Sequence, residues 1–335
     1  MVAVQELRLM TRVARLYYEH GRGQSEIARQ MHVSQSTVSR MLKRARAEGI
    51  VQISVRVPQG VYADLEERLV AAYGLRDAVV ADCDEHDSEE AIERAVGEAA
   101  AHYLETTLGR DEMLGISSWS GTLLAMVGAM RPVTRSSGTP VIQILGGASL
   151  SQAGVHAAYL VTRLAERLNG SAVFLPAPGI VGSAEARAVL QDDPSVREVT
   201  ARFCEVTLAL VGIGTLQPSN LVASSGNVFS EDELALLRDR GAVGDVLMRF
   251  YDAEGNAVET ALNQRVIGME LAQLRKAERA VAVAAGLRKL EAIRGAIRGG
   301  LINILVTDRL VAEALLEDHV AESEQADGTE ADHGR

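Results

Sequence analysis

Apolar residues in the first fifty positions recur at helical spacing. Leu9, Val13, Leu16 and Tyr17 put one apolar face on a helix over residues 7–19, and the two glycines of His20-Gly21-Arg22-Gly23 stop it. A second helix is predicted over 24–31, with Ile27, Ala28 and Met31 inward. His32-Val33 then makes a tight turn, Ser34 is a good N-cap, and a third helix runs from Gln35 to about Glu48, ended by Gly49. Residues 50–57, IVQISVRV, alternate as a strand and are expected to form a wing or a cover for the helix ends.

Past the Pro58-Gln59-Gly60 breaker the pattern changes to short apolar runs separated by helical segments. Strands are expected at 77–82, 112–117, 140–146, 171–176, 205–214, 245–252, 279–286 and 301–308. Helices are expected at 63–73, 89–108, 155–169, 183–191, 231–240 and 288–298. Near-continuous apolar strands alternating with helices predict an α/β domain: a Rossmann-like, mostly parallel sheet covered on both faces. The expected organisation is therefore an all-α head, 1–57, an α/β body, 58–317, and a polar, acidic tail, 318–335, expected to be disordered.

Charge divides the chain at the same place. Residues 1–56 carry ten lysines and arginines against four acids, a balance of +6, which leaves −17 for the rest of a chain whose total is −11. A basic head on an acidic body suits a head that meets a polyanion. No apolar run reaches the roughly 18 residues of a membrane span, and no signal-peptide core is present, so a soluble, cytoplasmic protein without membrane contact is expected. Two distant cysteines and seven scattered histidines give no disulfide framework and no metal-ligand spacing, so neither metal nor cofactor is expected.

Two helices joined by so short a turn form a helix-turn-helix, which needs a small residue where the helices touch, here Ala28, and apolar residues at Val33, Val38 and Met41. His32 stands where glycine is usual, and histidine tolerates a left-handed backbone. The outward side of the third helix presents amide, hydroxyl and cationic groups suited to base edges and phosphates. Gln35, Ser36 and Arg40 are the candidates for base contact, and Thr37, Lys43 and Arg44 for the DNA backbone, with Gln24, Ser34 and Ser39 completing the face. The bland alternative is a basic helical hairpin that binds nothing.

In the body, ligands of such sheets bind beyond the carboxyl ends of the strands. The loop SSWSGT (Ser117, Ser118, Trp119, Ser120, Gly121, Thr122) follows a strand and opens a helix, offering hydroxyls and amides to a phosphate or a polyhydroxylated ligand. Gly146 and Gly147, in GGAS, and Gly214 with Thr215, in GIGT, end two further strands and would let backbone approach a ligand. Asp245 opens a strand and Lys289 a helix, placing a carboxylate and a cation on the same rim. Glycine and serine also serve strand-to-helix turns, Trp119 can plug the core, Asp245 can cap a turn and Lys289 can be solvated.

The stretches QSEIARQMHVSQSTVSRMLKRARAEGIVQI, GISSWSGTL, LPAPGIV, LALVGIGT, GAVGDVLMRFYDAEG and LRKLEAIRGAIRGGLINILVTDRLVAEALL resemble, in order and over nearly the whole chain, the SorC family of bacterial transcription regulators. That resemblance implies a winged helix-turn-helix joined to a sugar-binding domain similar to sugar-phosphate isomerases and glucosamine-phosphate deaminases. It also implies a ligand-gated repressor or activator whose effector is a sugar, polyol or sugar phosphate. Carried over by position, Ser118, Trp119 and Thr122 would sit in the anion or sugar loop with Gly146 and Gly147 beside it. Asp245 would bind sugar hydroxyls and Lys289 would pair with a phosphate. The family loop often reads S-W-G-x-T with a basic residue at x. Here Ser120 and Gly121 stand in those places, which leaves an unphosphorylated polyol open.

The expected function is a DNA-binding regulator whose operator affinity responds to that effector, working as a dimer or tetramer on a symmetric site. The alternative is an enzyme of the sugar-phosphate isomerase type with a DNA-binding appendage, using Asp245 or Glu185 as base and Lys289 as electrostatic stabiliser.

Overall fold

Three helices build the head: α1 (Val4–Tyr18), α2 (Gln24–Met31) and α3 (Gln35–Ala47). The computed structural model describes residues 4–51, 60–133, 138–147, 152–217 and 230–332, and the chain divides into two compact units, Met1–Pro58 and Gln59–Arg335. In the head, Val13, Ile27, Ala28, Val38, Leu42 and Ala45 form a small buried core. The turn between α2 and α3 rests on His32, which adopts the left-handed conformation (φ 52°, ψ 42°). The next residue then returns its N–H to the Ala28 carbonyl at 3.0 Å. Ser34 starts α3 by accepting the Thr37 N–H at 3.2 Å. The wing expected over 50–57 falls, from residue 52 on, outside the described residues.

The body's helices of eight residues or more are α4 (Ala63–Tyr73), α5 (Glu89–Thr107), α6 (Gly121–Ala129), α7 (Gln152–Arg167), α8 (Ala184–Asp192), α9 (Pro194–Ala201) and α10 (Glu231–Asp239), followed by α11 (Leu290–Arg298) and α12 (Arg309–Asp332). Its strands are β1 (Asp77–Ala81), β2 (Leu114–Ile116), β3 (Val141–Gln143), β4 (Ala172–Val173), β5 (Leu208–Val211), β6 (Gly244–Val246), β7 (Arg249–Tyr251), β8 (Arg279–Val283) and β9 (Ile304–Asp308). Seven of these make one parallel sheet in the order β1-β9-β8-β5-β2-β3-β4. Alternate strand residues enter two separate cores. Ile142, Ala209, Val211 and Leu305 face one; Leu114, Leu208, Leu210 and Val306 face the other. Both faces are buried, which is why the strands read as unbroken apolar runs.

From β2 the chain runs outward through β3 and β4, then returns to place β5 on the other side of β2. The sheet therefore has its topological switch point between β2 and β5, and the loops after those strands open a crevice there.

Three sequence expectations change. Residues 245–252, expected as one strand, form the antiparallel hairpin β6–β7 instead. Its two-residue turn is Leu247-Met248, with φ of 57° and 60°, where Asn-Gly would be usual. Helix α9 was not anticipated; Asp193 caps it and Pro194 takes its first position. Finally, α12 runs to Asp332, through most of the segment expected to be disordered. Its first turns are anchored by Val311, Ala312, Leu315 and Leu316, all buried. Extending a formed helix through Ala- and Glu-rich sequence costs far less than nucleating one.

Candidate functional site

A pocket opens at the switch point, enclosing about 820 Å³ of non-protein space including its open mouth. The loop after β2 supplies Ser117, Ser118, Trp119, Ser120 and Gly121; the loop after β5 supplies Gly212, Gly214 and Thr215. The hairpin adds Asp245, Leu247 and Met248, the turn before α11 adds Arg288 and Lys289, and α5 adds Glu93.

Most of the hydroxyls are already committed to the fold. Ser118 donates to the Leu145 carbonyl at 3.1 Å and accepts from Gln143 at 3.2 Å. Thr122 is buried and donates to the Val283 carbonyl at 2.6 Å. Thr215 is engaged with the backbone of Gln217. Ser120 caps α6 by accepting the Leu123 N–H at 3.3 Å, and Ser117 accepts the Gly212 N–H at 3.4 Å. Thr122 therefore sits behind the pocket wall and not on it.

Gly146 and Gly147 also do a different job from the one expected. A Cβ on Gly146 would lie 2.4 Å from the Pro178 carbonyl oxygen, and one on Gly147 would lie 2.2 Å from Gln143 Nε2. They are small so that protein can pack against protein; neither lines the pocket. Trp119 lines it but is only 4 % exposed, and a Cβ on Gly179 would come within 2.6 Å of its ring. Its backbone is left-handed, φ 58°, a conformation uncommon for bulky residues and often met at functional sites.

Asp245 and Gly214 exchange two backbone hydrogen bonds, of 2.9 and 3.1 Å, which tie the hairpin to the loop after β5. A Cβ on Gly214 would stand 2.1 Å from Asp245 Oδ1, so only glycine leaves the carboxylate its place. Asp245 Oδ2 accepts the Met248 N–H at 3.0 Å, holding the strained turn. Behind the hairpin, Arg249 is buried and clamped by the Met269 carbonyl at 3.0 Å and by Glu270 at 2.7 Å. Burial raises the Asp245 carboxyl to about 6, against the opposing pull of the Met248 N–H and of Lys289. Burial also pushes the Lys289 ammonium below its usual value, and the nearby charges of Glu93 and Asp245 oppose that.

Glu93 was not foreseen. It lies on α5 one turn before Gly97, where a Cβ would come within 2.5 Å of Ala125 on α6. A glycine inside an otherwise good helix marks such a close approach, and the residue one turn earlier on that face reaches the mouth of α6. Glu185, the alternative base, is exposed on α8 and is not among the pocket residues.

On the head, Ser34, Gln35, Ser36, Ser39, Arg40, Lys43 and Arg44 are exposed, while Gln24 and Thr37 are half-buried. The hydroxyls of Ser34, Ser36 and Thr37 cluster at 2.8 Å, and Gln35 accepts from Ser25 at 3.2 Å. Arg44 is bridged to Glu6 at 2.5 Å and to Glu48 at 3.0 Å, so it fastens α1 to α3. Arg40 and Lys43 form no ion pair among the described residues; Arg40 donates to the Thr37 hydroxyl at 3.5 Å. The two cysteines are free. No cluster of potential metal ligands occurs among the described residues, and no described helix is long and apolar enough to cross a membrane.

Comparison with known proteins agrees with both units. Residues 58–317 match the family described as "Putative sugar-binding domain", and residues 5–53 match a homeodomain-like helix-turn-helix domain. The chain is 33 % identical to the deoxyribonucleoside regulator of Bacillus subtilis, over 94 % of this chain and 99 % of that one. It is 31 % identical to the sorbitol operon regulator of Klebsiella pneumoniae, over 93 % and 98 %. The crystal structure of the full-length Klebsiella pneumoniae regulator, SorC, superposes with a TM-score of 0.68 at 30 % identity, over 93 % of this chain and 99 % of that one. The similarity runs along almost the full length, through both the helix-turn-helix head and the sugar-binding body, and the chain belongs to the SorC family of sugar-binding transcriptional regulators.

Proposed function

We propose that the protein binds operator DNA through α3 and changes its operator affinity when a polyhydroxylated small molecule, a sugar, polyol or sugar phosphate, occupies the body's pocket. The observation that carries this reading is the pocket itself: an acidic and a cationic side chain, Asp245 and Lys289, face a polar loop at the switch point of the sheet. The names of the relatives point the same way, since deoxyribonucleosides and sorbitol both carry several hydroxyls. On the head, Gln35, Ser36 and Arg40 read base edges, Lys43 and Thr37 hold phosphates, and Gln24, Ser34 and Ser39 border them. Arg44 contributes mainly by fixing the helix. The protein works in the cytoplasm as a dimer or tetramer, each pair of heads meeting an inverted repeat.

Selection of randomised duplex DNA by the full chain tests this. Two half-sites in inverted orientation are expected, and no enrichment over several rounds would contradict DNA reading. A second reading, isomerase-type catalysis, draws support from one observation: Glu93 brings a second carboxylate to the pocket of Asp245 and Lys289. Turnover of aldose or ketose phosphates by the full chain would establish it; its absence leaves a sensor.

A further inference from the structure

The pocket's charges say more about the effector than its shape does. At the N-terminus of α6, the position a Cβ on Gly121 would take lies 2.6 Å from Glu93 Oε2. The carboxylate therefore abuts the first turn of the helix that would otherwise receive an anion. A helix N-terminus favours negative charge through its free N–H groups and its dipole. Here a carboxylate of the protein stands beside that first turn.

We infer that the effector is an uncharged polyol or sugar and not a phosphate ester, because Glu93 holds the place beside α6 where a phosphate would bind. The inference rests on the reading of this pocket as the effector site. Three further observations support it. First, the loop 117–122 contains no cation, and among the described cations lining the pocket Arg288 is engaged with Glu89 at 3.4 Å. Beside that exposed pair the pocket's other cation is Lys289, which faces two carboxylates. Second, Glu93 makes no hydrogen bond to a described residue, and Asp245 uses Oδ2 on the Met248 N–H while Oδ1 stays uncommitted among them. Among the described residues these oxygens have no donor, and alcohol hydroxyls supply donors to them, whereas the phosphate group of an ester placed beside them supplies none. Third, Leu145, Leu234, Leu247, Met248 and Phe250 line the rest of the pocket, a surface suited to the C–H groups of a short carbon chain.

Bringing a phosphate next to Glu93 sets like charges together in a half-enclosed site, where water screens them poorly. A polyol instead donates hydroxyls to Glu93 and Asp245 and accepts one hydrogen bond from Lys289. Each polar group is then paired, which a buried site requires.

Isothermal titration calorimetry on the full chain at pH 7.5 tests this with matched probes. The neutral set is erythritol, ribitol, xylitol, D-sorbitol and D-ribose; the charged set is erythritol 4-phosphate, ribose 5-phosphate, sorbitol 6-phosphate and inorganic phosphate. At least one neutral compound is expected to bind, with its phosphate ester at least tenfold weaker. In Glu93→Gln the neutral ligand weakens and the ester gains at least tenfold, so the preference narrows or inverts. A phosphate ester that binds wild type more tightly than its parent alcohol overturns the inference and leaves the pocket's role intact. Binding by no member of either set contradicts the pocket assignment, and the inference with it. The wild-type comparison stands by itself should Glu93→Gln fail to fold.

Discussion

Asp245→Asn keeps the shape of the side chain and an oxygen to accept the Met248 N–H, now 3.0 Å away, but removes the charge. In the folded protein burial raises the carboxyl from 3.8 to about 6, so the fold holds this proton more tightly than the unfolded chain does. The ionised form is therefore disfavoured: the penalty is absent below pH 3.8, grows between 3.8 and about 6, and is complete above that. Roughly two pKa units correspond to about 3 kcal/mol. This is an upper bound, because water reaches the carboxylate through the open mouth of the pocket. The substitution should thus stabilise the protein by on the order of 2 kcal/mol at pH 7 and by no more than about 0.5 kcal/mol at pH 4. Urea denaturation of both proteins from pH 4 to 8 measures the difference, and taking the difference removes the titration of all other carboxylates. A variant no more stable than wild type at pH 7, or a difference independent of pH, would refute the reasoning. A charge retained at such a cost in stability marks a group kept for function, and the same variant should lose effector affinity at pH 7.

Other substitutions probe separate links. Ser34→Ala removes the cap of α3 and should lower the head's stability by about 1 kcal/mol, read by thermal unfolding followed by circular dichroism. Arg40→Ala should weaken operator binding at least tenfold and relax preference at one base position. Lys43→Ala should weaken all duplexes evenly and reduce the slope of log affinity against log salt by about 1; both are read by fluorescence anisotropy. Gly97→Ala drives a Cβ to 2.5 Å from the Ala125 Cβ and 2.8 Å from the Met126 nitrogen. It should cost about 1–3 kcal/mol in urea denaturation.

Local features of this chain were legible in sequence, and long-range ones less so. Helices α2 and α4 span the residues that spacing predicts, and α3 starts directly after its N-cap Ser34, because such signals act on their immediate neighbours. The left-handed turn at His32 was readable for the same reason. The β6–β7 turn was not, since Leu247-Met248 carries no turn signal. It is held instead by Asp245 and by the burial of both side chains. The loops of the pocket were found by their glycines and hydroxyls, but composition cannot say whether a small or polar group faces a ligand or the protein. Gly146, Gly147 and Thr122 turned out to serve packing and a backbone carbonyl. Glu93 was hidden because it reaches the pocket from a helix far from the other loops in sequence, across the α5–α6 contact at Gly97. Arg44 is exposed and ion-paired with Glu6 on another helix, a partner that spacing within α3 does not show.

The central claim is coupling between the pocket and the DNA-reading helix, and coupling is measured as a change in affinity. Fluorescence anisotropy of the full chain on DNA from upstream of its own gene, with and without the neutral polyols and sugars named above, tests it most directly. Salt-sensitive binding that one of these compounds shifts at least several-fold is the predicted result. Operator affinity unchanged by a compound that calorimetry shows to be bound would contradict the account.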